Sequence, residues 1–437
     1  MKRMALLLAL ISFVSLASVT AGASDITPKI FGDANMDGGI DDLDIEYVQG
    51  IIEGTNEATL LSDANQDGLI DEGDIAQIEL IISGGESEIT LIDMADRVVT
   101  VPRPVERVVS TSLPVTRIIV ALDGCDRLKG SEIDGSGTGD WAGASCVGEL
   151  QFACGGAITG VTDVGWGGSK VETIAELEPD VVFVSSGTDA DALQEKIGAP
   201  VVVSMPSQTM DDTMMDWWAG QIRCTGVVLG RDAEAEDLIS FMEEKLALVT
   251  DISSQIDDSE KPRVYFASRA GSHIYDIIQT TGYYDPIDLA GGINVAKEDA
   301  ISTSEFTISP EQIVVWDPDI ILLKCHKNNP PSETQYTIEM ALSDQLFKEG
   351  GVNAALSGAV YYCMATCRYY PIERYIPEAM YLAKIFHPEE FADLDLEKEG
   401  NEIMKKFFHE DGLYTWLADD KGYIRDLIVD PPEEGAW

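Results

Sequence analysis

The chain has 437 residues, of which 77 are acidic and 29 are basic, and its net charge is -48. This charge argues against nucleic acid or an anionic membrane surface as a partner. The length allows two or three domains, and a hydrophobic content of 45% is enough for ordinary buried cores. We therefore expect a folded protein with a strongly acidic surface, which suits high salt or calcium binding.

The first 23 residues have the composition of an export signal. Lys2 and Arg3 precede an apolar stretch at residues 4–19, and Ala-Gly-Ala at residues 21–23 forms a small-residue cleavage site. We expect an exported protein, located at the cell surface or in the extracellular or periplasmic space. A retained membrane anchor is the alternative, which the shortness of the apolar stretch disfavours.

Seven cysteines in an exported protein allow up to three disulfides. Cys146 and Cys154, which lie in a Gly-rich stretch, are one candidate pair, but the spacing leaves the connectivity open. The seven are Cys125, Cys146, Cys154, Cys224, Cys325, Cys363 and Cys367.

Residues 30–84 contain one acidic motif twice, at an offset of 30 residues. Oxygen-bearing side chains stand at loop positions 1, 3, 5, 9 and 12, glycine stands at position 6, and a backbone carbonyl is available at position 7, as a calcium loop requires. We expect a helix after each loop, at residues 45–52 and 75–82. The expected ligands of two calcium ions are Asp33, Asn35, Asp37, Gly39, Asp41 and Asp44 in the first loop and Asp63, Asn65, Asp67, Leu69, Asp71 and Asp74 in the second.

This tandem arrangement, with aspartate at position 12 of each loop, resembles the type I dockerin module. The resemblance implies a small all-α, EF-hand-like domain that binds two calcium ions and docks onto a cohesin-bearing protein. Positions 10 and 11 are Asp42-Leu43 and Glu72-Gly73 instead of the family's small hydroxyl residues. Cohesin docking therefore stays open, and a solvated acidic face without metal is the alternative to the calcium sites.

After an expected linker at residues 86–89, strand-like and helix-like segments alternate, which is typical of an α/β fold. A long amphipathic helix is expected at residues 232–256, where Leu238, Met242 and Val249 recur at helical spacing. The expected strands are residues 107–111, 181–184, 201–204, 263–267, 320–323 and 359–363.

A second repeat indicates that the α/β part contains two similar lobes. Residues 172–180 and 311–319 each begin with a glutamate, continue as a short amphipathic helix and end in Pro-Asp before four apolar residues. The apolar residues predict a strand that is buried on both faces. Two such lobes create a cleft, which is where small-molecule sites preferentially lie.

The two repeats, the connecting helix and residues 98–109 and 377–384 together resemble the substrate-binding proteins of iron-siderophore and vitamin B12 ABC importers. The resemblance implies two Rossmann-like lobes joined by a single long helix. It also implies a non-enzymatic protein that captures an iron chelate, haem or corrinoid and delivers it to an ABC permease. The expected organisation is a signal peptide at 1–23, a dockerin-like module at 28–85, an N-terminal lobe at 90–230, a connecting helix at 231–260 and a C-terminal lobe at 261–437.

In that family one glutamate on each lobe faces arginines of the permease, and the matching positions are Glu172 and Glu311. A structural explanation competes with docking. Ser169 and Glu172 have the spacing of a capping box, and Ser309-Pro310-Glu311 places a carboxylate in a first helical turn.

Ligand contacts in such folds come from loops at the ends of strands. We expect the ligand to contact Trp141, Trp166, Arg269, Arg368 and Tyr369, because aromatic faces suit a large planar ligand and arginines suit its carboxylates. His273 lies close to Arg269 in the sequence. Cys363, Met364 and Cys367 also allow a soft-metal site, although buried or disulfide-bonded thiols explain them with fewer assumptions.

The alternative function is a dockerin-bearing extracellular enzyme or a scaffold component of a polysaccharide-degrading complex. Against an enzyme, the chain has no nucleophile elbow, no HExxH motif and no Gly-rich phosphate loop.

Overall fold

The protein is described by a computed structural model that covers residues 28–132, 150–206, 213–270, 274–300, 305–324, 337–363 and 371–419. Within these ranges no helix is both long enough and apolar enough to cross a membrane.

The acidic repeat forms a small unit made of one short strand and two helices. Asp41 and Asp71 cap the two helices, and each forms a reciprocal capping box with the aspartate three residues later. Because of these caps, each helix begins three residues before the predicted start. The elements are β1 (Lys29–Ile30), α1 (Asp42–Ile52) and α2 (Glu72–Ser83).

A three-stranded antiparallel sheet follows, in the order β1-β2-β3, with β2 (Glu88–Ile92) and β3 (Val98–Pro102). The prediction of a linker at residues 86–89 is therefore wrong, because β2 begins at Glu88. Ile89 and Leu91 are buried while the residues between and beside them are more exposed, which is the alternation of a half-buried strand.

The first lobe contains a five-stranded parallel sheet in the order β6-β5-β4-β7-β8. Helices cover it, and two 3₁₀ segments, Leu150–Gly160 and Trp166–Gly168, lie in its connections. Its elements are β4 (Val108–Ser110), α3 (Leu113–Ala121), β5 (Leu128–Ser131), β6 (Thr162–Asp163), α4 (Val171–Glu176), β7 (Val181–Ser185), α5 (Ala190–Ile197), β8 (Val201–Met205) and α6 (Met214–Leu229).

Helix α7 (Asp232–Ser253) connects the lobes and has 22 residues. It ends three residues before the predicted end at residue 256. Its buried face includes Leu238, Met242 and Val249, as the helical spacing indicates.

The second lobe has a mixed sheet in the order β12-β10-β9-β13-β14, with β11 pairing β9. Strands β9, β11, β13 and β14 are parallel, whereas β10 and β12 are antiparallel to their neighbours. The elements are β9 (Arg263–Ala270), β10 (Ile274–Thr280), α8 (Asp285–Leu289), β11 (Ile293–Asn294), a 3₁₀ segment (Lys297–Asp299), β12 (Phe306–Thr307), α9 (Pro310–Trp316), β13 (Ile320–Lys324), α10 (Ile338–Ser343), α11 (Gln345–Gly350), α12 (Asn353–Ser357), β14 (Val360–Cys363), α13 (Ile372–Phe386), α14 (Leu396–Phe408) and α15 (Leu413–Asp419). All six predicted strands are confirmed, as is an α/β fold with parallel sheets.

The C-terminal helices also pack against the first lobe. Non-covalent contacts therefore hold the lobes together in addition to α7. Arg117 of α3 forms a buried ion pair with Glu373 of α13. The rings of Phe152 and Trp416 meet edge to face, with centroids 4.6 Å apart. These contacts join the lobes at a second place and restrict their relative motion.

A disulfide joins Cys125 to Cys154, which corrects the candidate pair of Cys146 and Cys154. Cys125 follows α3, and the 3₁₀ segment that carries Cys154 packs against that helix. Cys146 lies outside the described residues. Cys224 is a buried free thiol.

Candidate ligand cleft and acidic loops

Glu172 and Glu311 occupy equivalent positions on the two lobes. Each lies in the first turn of a short helix, α4 or α9, and each side chain is exposed. The prediction that each glutamate opens a helix before a buried strand is confirmed.

The capping box predicted at Ser169 is wrong. Lys170 precedes α4, while the N–H of Ser169 donates to the carbonyl of Trp166 at 3.1 Å, so Ser169 belongs to the preceding 3₁₀ turn. In α9, Pro310 takes the first helical position and Glu311 lies in the first turn, as predicted. The favourable interaction with the helix dipole remains a structural role for both glutamates.

The parallel strands of the first lobe end in hydroxyl-bearing residues at one edge of the sheet. Ser110 ends β4 and Ser131 ends β5, and both are fully buried. The hydroxyl of Ser131 lies 2.8 Å from that of Thr116 in α3. This edge is where ligands bind in open parallel sheets.

Glu132 places a buried carboxylate directly after β5. It is 3% exposed, and its Oε2 accepts a hydrogen bond from the N–H of Gly167 at 3.0 Å. Gly168 has φ +74°, and a Cβ atom there would lie 2.7 Å from Thr111 Cγ2. The turn that contains both glycines is therefore packed against the ends of β4 and β5.

Trp166, a predicted ligand contact, opens this turn and is 40% exposed. The structure thus brings an exposed indole together with the buried Glu132 and with Thr111. An arrangement of this kind offers a small molecule an aromatic face for stacking and polar side chains for hydrogen bonds.

In the second lobe, Arg269 lies inside strand β9, because the strand continues to Ala270 instead of ending at Ala267 as predicted. The parallel pairing with β13 stops at Ala267, and Arg269 pairs with Tyr275 of β10. The extension of β9 therefore forms an antiparallel hairpin at the same edge of the sheet. His273 lies outside the described residues.

Residues 361–363 form the end of β14 and precede the predicted contacts Arg368 and Tyr369. Tyr361 is 8% exposed, and the hydroxyl of Tyr362 accepts a hydrogen bond from the N–H of Ile338 at 3.4 Å. Cys363 is buried at the end of β14. The residues Trp141, Met364, Cys367, Arg368 and Tyr369 lie outside the described residues.

Sequence reasoning missed Glu132 and the hydroxyl residues Ser110, Thr111 and Ser112. Each lies at the end of a buried parallel strand or within two residues after it. That position was the available signal, because such residues converge on the binding edge of an α/β sheet.

In the first acidic loop, carboxylates are held by backbone N–H groups. Asp33 Oδ1 accepts from the N–H of Asp37 at 3.1 Å, and its Oδ2 accepts from Gly38 at 3.0 Å. Asp44 accepts from Asn35 at 3.1 Å and from Asp41 at 2.9 Å. The loop therefore wraps around its first and last aspartates.

The second loop repeats this pattern. Asp63 Oδ2 accepts from the N–H of Gly68 at 3.0 Å, and Asp74 accepts from Asn65 and Asp71. Among the described residues, Asp63 Oδ1 is a buried oxygen with no hydrogen-bond partner. Such an oxygen needs a cation or a donor, so this loop fits a calcium ion.

Burial and neighbouring carboxylates disfavour the charged form of three loop aspartates, Asp33, Asp44 and Asp74. Burial, followed by the proximity of Asp44, raises the pKa of Asp33 to about 6. Burial also raises the pKa of Asp44 and of Asp74, although backbone hydrogen bonds oppose the shift. As the side chains are placed, no group of three or more His, Cys, Asp or Glu within the described ranges forms a ready metal cluster.

Residues 161–365 match the periplasmic binding protein family. The molybdate-binding protein MolA of Haemophilus influenzae is 24% identical over 344 residues, which make up 73% of this chain and 90% of MolA. A cobalamin-binding protein of Halobacterium salinarum is 27% identical over 154 residues, which make up 35% of this chain and 40% of that protein.

Solved structures share the fold. MolA bound to molybdate has a TM-score of 0.56 and 22% identity, and the match covers 74% of this chain and 98% of that chain. Helicobacter pylori CeuE with bound Ni(II) has a TM-score of 0.53 and 17% identity, and the match covers 74% of this chain and 96% of that chain. The family match over residues 161–365 favours solute binding over the alternative of a polysaccharide-degrading enzyme or scaffold. Residues 161–365, which span parts of both lobes, are the part of this chain that matches the periplasmic binding protein family.

Proposed function

We propose that this protein is the extracytoplasmic solute-binding component of an ABC importer and that it captures an iron complex or a corrinoid between its lobes. The iron complex would be a siderophore chelate or haem. The observation that carries the proposal is the pair of matched lobes. In the first lobe the parallel strands β4, β5 and β7 end in serines, and the exposed Trp166 follows β6. The similarity to a cobalamin-binding protein supports the corrinoid in particular.

In this proposal the ligand stacks on Trp166 and is held by Trp141, Arg269, Arg368 and Tyr369. The stacking role of Trp166 is supported by its exposure close to the buried Glu132. The two arginines would neutralise carboxylates or phosphates of the ligand, which an otherwise acidic protein needs in order to bind an anionic chelate.

A small oxyanion is the second candidate ligand, and the N-terminus of α3 favours it. Ser112 precedes this nine-residue helix and makes no capping bond within the described chain, so the first N–H groups of the helix remain available to an anion. The similarity to the molybdate-binding MolA points the same way.

Isothermal titration of the full chain with a ferric hydroxamate, a ferric catecholate, haem, cobalamin and molybdate tests the proposal. Saturable binding of one chelate or of cobalamin supports the main proposal, whereas binding of molybdate alone supports the oxyanion. Binding of none of the five contradicts both. Hydrolysis of a polysaccharide panel would instead favour the enzyme alternative.

We further propose that Glu172 and Glu311 dock the loaded protein onto arginines of the permease. This docking role is supported by the equivalent positions of the two glutamates: both are exposed, and both lie in the first turn of a matched helix. The acidic surface supplies a long-range attraction to a basic partner.

We also propose that residues 28–85 form a dockerin-like module with two calcium ions, followed by a lobe at 90–230, a connecting helix at 231–260 and a lobe at 261–437. The residues that would hold the ions are the loop positions given above, and the buried oxygen of Asp63 supports them. Calcium titration of the full chain should give two sites. A cohesin-bearing partner is the proposed target of the module, and binding to recombinant type I cohesins tests it.

A further inference from the structure

We infer that the acidic module is a structural part of the first lobe and that calcium in its loops stabilises strand β8 beside the ligand cleft. This inference rests on the proposed calcium binding. It differs from the picture of an independent module on a linker, and it is carried by a continuous path of hydrogen bonds from Asp33 to Met205.

The path begins at strand β1, which precedes the first loop. Lys29 and Ile30 pair with Ile92 and Leu91 of β2, and the N–H of Phe31 donates to the carbonyl of Thr90 at 3.0 Å. The chain then turns, and the N–H of Asp33 donates to the carbonyl of Ile30 at 3.0 Å. The first position of the calcium loop is thus attached directly to the small sheet.

Gly32 fixes this turn. Its φ is +115°, and its N–H donates to the carbonyl of Leu61 at 2.9 Å. Leu61 lies just before the second loop. A Cβ atom at this position would lie 3.2 Å from Ile81 Cδ1 of α2. The turn therefore connects β1 to both halves of the module.

The small sheet is attached in turn to β8, which is one of the two edge strands of the first lobe's sheet. Asp93, directly after β2, is 3% exposed, and its Oδ2 accepts from the N–H of Val203 at 3.0 Å. The N–H of Met94 donates to the carbonyl of Val203 at 2.9 Å. Asp93 also binds Arg97 at 2.8 Å. These bonds satisfy backbone groups that an edge strand otherwise leaves open.

Strand β8 carries the path to the cleft. Two residues after Val203, the Met205 sulfur accepts from the Ser112 hydroxyl at 3.4 Å, and the Met205 carbonyl accepts from the N–H of Ser186 at 2.9 Å. Ser112 and Ser186 follow β4 and β7 at the edge where the ligand is proposed to bind.

A cavity of about 1000 Å³ is lined by Ile40 and Ile81 of the module and by Arg223 and Val227 of α6. Close packing is therefore interrupted at this place, whereas the hydrogen bonds through β1 and β2 are continuous.

Calcium would act through this connection by mass action. A cation that binds the ordered loops and not the disordered ones stabilises every element that orders with them. Since β1 is bonded to the first loop and to β2, and the turn after β2 is bonded to β8, local opening of β8 should become rarer when the loops are loaded.

Hydrogen exchange of the full chain, in excess calcium and in chelator, tests the inference. We expect amides in residues 201–205 to exchange at least about tenfold more slowly with calcium. Residues 320–324 of β13, in the second lobe, serve as the internal reference and should change much less. Asp33→Asn with Asp63→Asn should remove the response of β8 to calcium.

Asp93→Ala separates coupling from calcium binding, because it removes the attachment to β8 without changing a loop residue. We expect this variant to bind two calcium ions by titration without the added protection of β8. Asp96→Asn, an exposed change in the same turn, is the matched control and should keep the protection. Two bound ions with no effect on β8 in the unmodified chain would overturn the coupling and leave the calcium sites standing. No calcium binding would overturn both.

Discussion

Asp180 and Arg107 are joined by reciprocal hydrogen bonds: the Asp180 carboxylate accepts from the N–H of Arg107 at 2.8 Å, and the N–H of Asp180 donates to the carbonyl of Arg107 at 2.8 Å. Asp319 and Arg263 form the same pair in the second lobe, at 2.9 and 2.8 Å. The Pro-Asp of each repeat thus ties the end of a helix to the start of the lobe's central strand. The repeat in the sequence is a repeat of this junction.

Asp180→Ala should therefore destabilise the first lobe. The carboxylate also accepts from the N–H of Glu106 at 2.8 Å, so two backbone donors lose their partner. We expect the free energy of unfolding to fall by about 1–3 kcal/mol, measured by urea denaturation. Glu176→Ala, an exposed change in the neighbouring helix, should change it by less than about 0.5 kcal/mol. Equal stability of both variants would contradict the role of Asp180.

Glu172→Ala with Glu311→Ala should leave ligand affinity nearly unchanged and abolish ligand-dependent uptake in cells that carry the permease. The physical reason is that the change removes two exposed carboxylates without touching the strand ends. Transport of the ligand found by titration is the measurement. Glu195→Ala with Glu339→Ala removes one exposed helical glutamate from each lobe and is the matched control. Normal uptake by the Glu172 and Glu311 double variant would contradict docking.

Calcium affinity should fall as the pH falls through about 6, because calcium requires the charged form of Asp33 and its pKa is raised to about 6. Without calcium, the pH dependence of folding stability is opposite in direction to that of calcium affinity. The folded protein holds this proton more tightly than the unfolded chain, so stability decreases as the pH rises from about 4 to 6. Titration calorimetry at several pH values tests the first trend, and urea denaturation in chelator tests the second. An affinity that is independent of pH between 7 and 5 would contradict the assignment of Asp33.

The Cys125–Cys154 disulfide should stabilise the first lobe by about 2–4 kcal/mol, because it closes a loop of intermediate length. Cys125→Ser with Cys154→Ser is the variant, and urea denaturation is the measurement. Burial raises the pKa of Cys224 to about 12, so this thiol should resist alkylation in the native protein. Peptide mapping after alkylation should find Cys125 and Cys154 unmodified until the protein is reduced. Alkylation of Cys125 before reduction would contradict the disulfide.

Local patterns predicted the six strands and the acidic loops because their signals lie within a few adjacent residues. Four apolar residues after Pro-Asp suffice for a buried strand, and the loop spacing suffices for the capped helices at Asp41 and Asp71. Local patterns could not predict that β9 extends beyond Ala267, because the extension depends on pairing with β10.

Features that depend on distant partners were not predictable. Strand β1 is short, and its partner β2 lies about sixty residues further along the chain, so residues 86–89 resembled a linker. Cys125 meets Cys154 only because a 3₁₀ segment packs on α3. Glu132 is not part of a recognisable motif. Its position after a buried strand indicates a binding residue only when the order of strands in the sheet is known.

The most direct test of solute binding between the lobes is tryptophan fluorescence of the full chain and of Trp166→Phe, titrated with whichever of the five ligands binds by calorimetry. We expect saturable quenching of the unmodified chain at one ligand per chain. In Trp166→Phe the quenching should be much smaller, and the affinity should fall because the phenyl ring offers a planar ligand a smaller aromatic face than the indole does. Unchanged quenching and unchanged affinity in the variant would contradict a ligand site at this edge of the first lobe.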